Sequence, residues 1–159
     1  MIKKHQIFVS STFLDLQRER EIALDAILRL EHLPSGMELF PSTHDDPLKY
    51  IKRVIDDCDY YLLIVGGRYG STAEDGISYT EKEFDYALAK GLPIVACVRQ
   101  DIAVLPAASR ETDPTKAAAL ERFRGLLKFD EFSHSLRVYE VCGANEKWEW
   151  ADAWCRCDE

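Results

Sequence analysis

The segment SYTEKEFDYALAKGLPIV (78–95) carries the side chains best suited to chemistry. It reads as a turn, a helix stopped by Gly91 and Pro93, and the start of a buried strand. At about 100° per residue, Phe84, Ala87 and Leu88 centre one apolar face of the helix. Glu83 lies at one edge of that face and Glu81 at the other. Both stand near the helix N-terminus, whose dipole steadies a carboxylate. A glutamate so placed can act as a simple first-turn charge. It can also face a cleft and stabilise positive charge that develops on a substrate. Helical geometry alone chooses neither the role nor the residue.

Two further stretches could frame such a cleft. VSSTF (9–13) gathers Ser10, Ser11 and Thr12 where a strand gives way to a helix. Hydroxyls and backbone N–H groups at a helix N-terminus favour phosphate, and equally serve as plain caps. GGRYGS (66–71) supplies Gly66, Gly67 and Gly70, which permit close approach of a ligand or simply a tight turn. It is neither a Walker loop nor a dinucleotide fingerprint. Arg68 within it has the geometry to grip a phosphate bidentately. Other chemistries find no support. Acidic residues do not follow the first strand, as a phosphoreceiver requires, and the hydroxyl run lacks the glycine of a flavin loop. No Ser-His-Asp or Cys-His arrangement stands out. His44, Asp45 and Asp46 read as a solvated turn, and Cys142, Cys155 and Cys157 with His134 fit no common zinc spacing.

The elements that must hold these residues follow from periodicity. QIFVS (6–10) reads as a buried strand. TFLDLQREREIALDAILRLEH (12–32) reads as an amphipathic helix capped by Ser11 or Thr12 and ended by Pro34-Ser35-Gly36. MELF (37–40) is expected as the second strand, and DPLKYIKRVIDDC (46–58) as a helix with Pro47 in its first turn. YYLLIVGG (60–67) and IVACV (94–98) are apolar on both faces, as buried parallel strands are. The stretch 101–114 reads as a loop, 115–129 as a helix and SLRVYEV (135–141) as a fifth strand. A last helix over 145–157 holds Trp148, Trp150 and Trp154. Strand and helix thus alternate, which predicts an α/β fold: a flavodoxin-like, doubly wound, five-stranded parallel sheet of order 2-1-3-4-5. A ligand in such a sheet sits beyond the carboxyl ends of the strands, where the order reverses. Those positions are VSSTF and GGRYGS.

Size and charge narrow the field further. The 159 residues suit one domain, with a core over 5–141 and the Trp-rich helix beside it. A net charge of −8 without a basic face argues against nucleic acid as a partner. No apolar run approaches the ~20 residues of a membrane span, and the opening MIKKHQIFVSSTF is too short in apolar residues for a secretory leader. The five cysteines form no framework, with Cys58 and Cys97 in apolar surroundings. A cytoplasmic protein is expected, with no membrane partner and no bound cofactor.

IFVSSTFLDLQRERE, PSGMELFP, LLIVGGRYGS and SYTEKEFDYALAKGLPI together resemble an uncharacterised bacterial domain family, Toll/interleukin-1 receptor-like (TIR-like), found at the N-terminus of larger signalling or defence proteins. The resemblance spans Ile7 to about Val98. It implies a TIR-like domain followed by a further domain. The pattern Thr80, Glu83, Ala87, Gly91, Pro93 is similar to the helix bearing the nucleophilic glutamate of nucleoside deoxyribosyltransferases. NAD-cleaving TIR domains carry a glutamate on the equivalent helix. Matched residue by residue, the resemblance picks Glu83 over Glu81. It implies cleavage of an N-glycosidic bond in NAD, the expected substrate, or in a related nucleotide. Nicotinamide, already positively charged, needs no general acid to leave. Ser10, Ser11, Thr12, Phe13, Arg68 and Tyr69 would line the nucleotide pocket, the glycines 66, 67 and 70 would border it, and Tyr79 would stack on a ring. Self-association is also implied, because TIR enzymes complete their pockets between subunits. Two other readings stay open: a non-enzymatic interaction module, and a nucleoside transferase or nucleotide binder.

Overall fold

Short apolar strands need cover on both faces, and the helices between them supply it. The computed structural model describes residues 3–36, 46–128 and 136–141. In chain order they form β1 (Gln6–Ser11), α1 (Gln17–Arg29), β2 (Leu33–Ser35), α2 (Pro47–Asp56), β3 (Tyr60–Val65), α3 (Tyr79–Ala89), β4 (Ile94–Arg99), α4 (Pro114–Leu127) and β5 (Leu136–Val141). The loop between β4 and α4 contains two 3-10 turns, Ile102–Val104 and Ala107–Ser109. Four strands lie parallel in the order β2-β1-β3-β4, and the backbone of Leu136–Val141 runs parallel beside β4.

Alternation along the strands divides the core into two layers. Phe8, Tyr61, Leu63, Val65, Ala96 and Val98 point to the side covered by α2, α3 and α4. Ile7, Val9, Leu62, Ile64 and Cys97 point to the side covered by α1. Phe8 and Tyr61 stack across neighbouring strands with ring centroids 5.6 Å apart. Cys58 and Cys97 are buried, as their apolar neighbours led us to expect. Burial pushes the Cys58 thiol up to about 11 and raises Cys97 further, so neither supplies a thiolate nucleophile near neutrality.

The caps of three helices are local and readable. Asp46 accepts from the Leu48 N–H at 3.1 Å with Pro47 opening α2. Ser78 accepts from the Glu81 N–H at 3.1 Å to open α3. Asp113 accepts from Thr115 and Lys116 to open α4.

Two expectations are corrected. The first helix begins at Gln17, and neither Ser11 nor Thr12 caps it. Their hydroxyls bond elsewhere: Thr12 Oγ1 donates to Asp15 Oδ1 at 2.5 Å, and Ser11 Oγ donates to the Thr12 carbonyl at 2.8 Å. Residues 12–16 therefore form a loop over the strand ends. The strand beside β1 is Leu33–Ser35, overlapping the Pro34-Ser35-Gly36 stretch read as a helix stop. Pro34 is tolerated because β2 lies at the edge of the sheet. MELF (37–40), His44 and Asp45, His134, Cys142 and the Trp- and Cys-bearing segment beyond it lie outside the described residues.

Candidate functional site

Parallel strands end their carboxyl termini together, and β1 and β3 deliver two loops to the same end of the sheet. The β1–α1 loop (12–16), the β3–α3 loop (66–78) and the first turns of α3 surround a cavity of about 470 Å³. That volume suits a nucleotide-sized ligand. Thr12, Phe13 and Asp15 line it from one side, Arg68, Gly70 and Ser71 from another. Tyr79, Thr80 and Glu83 of α3 face it, Pro47 and Ile51 of α2 supply apolar wall, and Lys116 reaches in from α4. Lys116 Nζ is steadied by donating to the Gly70 carbonyl at 3.1 Å. Ser11 and Leu14 complete the rim.

Glu83 is 6% exposed although it lines this cavity. Ser10, at the end of β1, donates to Glu83 Oε2 at 2.5 Å across 73 residues of chain. One carboxylate oxygen is thereby fixed by the sheet. Beneath them Tyr61 is fully buried. Burial, and then the nearby Glu83 charge, hold its hydroxyl well above the usual range, so it stays a neutral phenol.

Glu81 is equally buried, at 4% exposed, but turns away from this wall. Arg122 of α4 grips it bidentately, Nη1 to Oε1 at 2.8 Å and Nη2 to Oε2 at 2.9 Å. The Tyr69 hydroxyl adds a third bond at 2.5 Å. Burial, followed by the Glu81 bond, raises the Tyr69 hydroxyl. Glu81 is therefore a clamp that fixes the β3–α3 loop and α4 to α3. The two glutamates, indistinguishable by spacing, are separated by their partners.

The structure brings Ser11, Thr12, Phe13, Arg68, Gly70, Tyr79, Thr80 and Glu83 to one cavity, with Ser10 behind it. It places Tyr69, Gly66 and Gly67 outside that wall. The two glycines instead admit neighbouring loops. A Cβ at Gly66 would fall 2.9 Å from Asp15 Oδ2, and one at Gly67 would fall 2.3 Å from the Ser109 carbonyl oxygen. Gly70, at φ +87°, needs its backbone freedom, and a Cβ there would meet Thr12 Cγ2 at 2.7 Å. The glycines of GGRYG thus let the β1–α1 and 107–111 loops close on the β3–α3 loop. Gly67→Ala pushes on backbone that cannot rotate away, since the Glu111 N–H also bonds the Gly67 carbonyl at 2.7 Å. It is expected to cost about 1–3 kcal/mol, read as a fall of several degrees in the thermal midpoint.

Asp15 and Lys116 were not singled out by sequence. Both lie in stretches read as helix; Asp15 falls within IFVSSTFLDLQRERE but took no role there, and Lys116 falls in no motif. Burial pushes the Asp15 carboxyl up, against the lowering effect of the Thr12 bond and, more weakly, of Arg68.

A parallel α/β sheet with a carboxylate-bearing cavity at the carboxyl ends of its first and third strands defines the class. The sequence matches the domain of unknown function DUF4062 over residues 6–145, and the chain belongs to that family. Among solved structures the fold is similar to that of the CMP N-glycosidase BcmB of Clostridium botulinum, with a TM-score of 0.53 at 14% identity. That likeness covers 95% of this chain and 98% of the other, and at this identity it is one of fold. No curated protein matches the sequence. Among the described residues no helix is long and apolar enough to cross a membrane.

Proposed function

We propose that this domain binds a nucleotide in the cavity and cleaves its N-glycosidic bond with the help of Glu83. The observation that carries the reading is the Glu83 carboxylate, buried at the cavity wall and held by Ser10. Breaking the bond between ribose C1′ and a base builds positive charge on the sugar. A fixed, largely buried carboxylate stabilises that charge or attacks C1′, as glycosidase carboxylates do. Arg68 and Lys116 supply positive charge for phosphate at the same cavity, and the exposed Phe13 and the Tyr79 ring offer stacking surface. The fold likeness to a CMP N-glycosidase supports the same reaction class.

In this reading residues 1–159 form one TIR-like, flavodoxin-like domain with five strands in the order 2-1-3-4-5, and NAD and nucleoside monophosphates are the substrates to compare. The test is release of free base from each, followed by chromatography, with Glu83→Gln as the control. Release that survives this change overturns the assignment. Ser10→Ala removes the donor that orients Glu83 and is expected to lower kcat/KM about tenfold, in keeping with the worth of one hydrogen bond to a charged group. An unchanged kcat/KM would show that Ser10 does not position the carboxylate.

Phe13 and Leu14, 57% and 74% exposed at the cavity rim, favour a second reading in which this rim meets another copy of the chain. A pure scaffold of that kind releases no base at any protein concentration, which separates the two.

A further inference from the structure

We propose that Arg20 is a positioning residue of this site: from the α1 side of the sheet it holds the end of β1, so that Ser10 meets Glu83 on the other side, and Ser11 belongs to that strut and not to the nucleotide. The inference rests on the Glu83 reading and assigns the residues that orient its carboxylate.

Arg20 stands where an apolar side chain would be expected. Leu16, just before α1, and Arg20, Ala23 and Ile27 within it follow one another at steps of three and four residues, and all four are buried. The other three pack with Ile7, Val9, Leu62 and Ile64 on the α1 side of the sheet. Arg18 and Glu21, its near neighbours in the chain, are exposed. A guanidinium in such a stripe is costly unless its N–H groups find acceptors.

Acceptors lie at the end of β1. Arg20 Nη1 donates to Ser11 Oγ at 2.7 Å, and Nη2 donates to the Val9 carbonyl at 3.3 Å. Side chains alternate along a strand, so Val9 and Ser11 face α1 while Ser10, between them, faces α3. There Ser10 donates to Glu83 Oε2 at 2.5 Å. One guanidinium thus grips the residues on either side of the serine that holds the carboxylate. β3 pairs with β1 as far as Ser11, whereas the pairing with β2 ends at Phe8 among the described residues. Arg20 secures the strand beyond that point.

Ser11 is committed to the same strut. Its hydroxyl proton goes to the Thr12 carbonyl at 2.8 Å, and its oxygen accepts from Arg20. Phosphate is bound by donors, and this hydroxyl has no second proton to give. Ser11 borders the cavity, yet it links Arg20 to the loop that carries Thr12 and Phe13 there. Without Arg20 the end of β1 is held from one side, and Ser10 aims Glu83 less well. Small displacements of a reacting group cost rate steeply. The loss falls on kcat, because Arg68, Tyr79 and Lys116 line the cavity from other elements.

The experiment measures base release from CMP and from NAD by the wild type, Ser10→Ala, Arg20→Met and the double variant, each checked for folding by its thermal midpoint. On whichever nucleotide the wild type cleaves, Arg20→Met is expected to lower kcat about tenfold and to change KM less than about twofold. Because both changes act through one hydrogen bond, the double variant should lose no more than about threefold beyond Ser10→Ala alone. Losses that multiply, to about a hundredfold in the double variant, or an unchanged kcat in Arg20→Met, overturn the proposal while the Glu83 reading stands. Should Arg20→Met fail to fold, Ser11→Ala removes the acceptor with a single oxygen, and kcat is expected to fall about threefold at constant KM. A raised KM with kcat kept makes Ser11 a nucleotide ligand and overturns the strut. Release of base from neither nucleotide by the wild type overturns both readings.

Discussion

Glu83→Gln is expected to lower base release by at least about a thousandfold while the protein stays folded. The amide keeps the size of the carboxylate and can still accept the Ser10 hydrogen bond at 2.5 Å. It has no negative charge to stabilise a cationic ribose and is a poor nucleophile toward C1′. The loss should therefore appear in kcat more than in KM, because the missing interaction matters most in the transition state. A folded variant that cleaves at the wild-type rate contradicts a catalytic role for Glu83.

Arg122→Ala should have the opposite signature, a large loss of stability with an indirect effect on chemistry. It strands the Glu81 charge at 5% side-chain exposure with the Tyr69 hydroxyl as its remaining bonded partner. Removing one member of a buried pair costs about 3–5 kcal/mol. Arg122 is itself 52% exposed, which places the expected cost lower, at about 2–4 kcal/mol. Glu81→Gln removes the charge that needs pairing. The double variant should therefore be less destabilised than the sum of the two single changes. Urea titrations of the four proteins measure this directly. Strict additivity would mean that Arg122 and Glu81 do not act as a pair.

What could be read from the sequence was what is decided locally. The long apolar runs of β3 and β4 announced buried parallel strands, and Asp46-Pro47 announced the start of α2. The burial of Cys97 was readable for the same reason, since it lies in the apolar run of β4, whereas Cys58 stands between Asp57 and Asp59 and is buried by packing. β2 was not readable. Three residues with a proline carry no periodic signal, and their pairing with Gln6, Ile7 and Phe8 is decided across the sheet. The start of α1 was misplaced because no side chain caps it: Leu16 stands at the N-cap position, and Thr12 bonds Asp15 within the loop before it. The choice between Glu81 and Glu83 was equally beyond spacing. Their partners, Arg122 and Ser10, are 41 and 73 residues away in the chain. Asp15 went unmarked because its character comes from burial against Gly66 and from the Thr12 bond, and both follow from the closing of two loops.

In the proposed mechanism Glu83 faces the anomeric carbon of a bound nucleotide. A crystal structure of Glu83→Gln with uncleaved CMP tests it most directly. The ribose C1′ should lie within about 3.5 Å of the side chain at position 83, with the phosphate toward Arg68 and Lys116. A nucleotide bound outside this cavity, or a ribose turned away from that side chain, would contradict it.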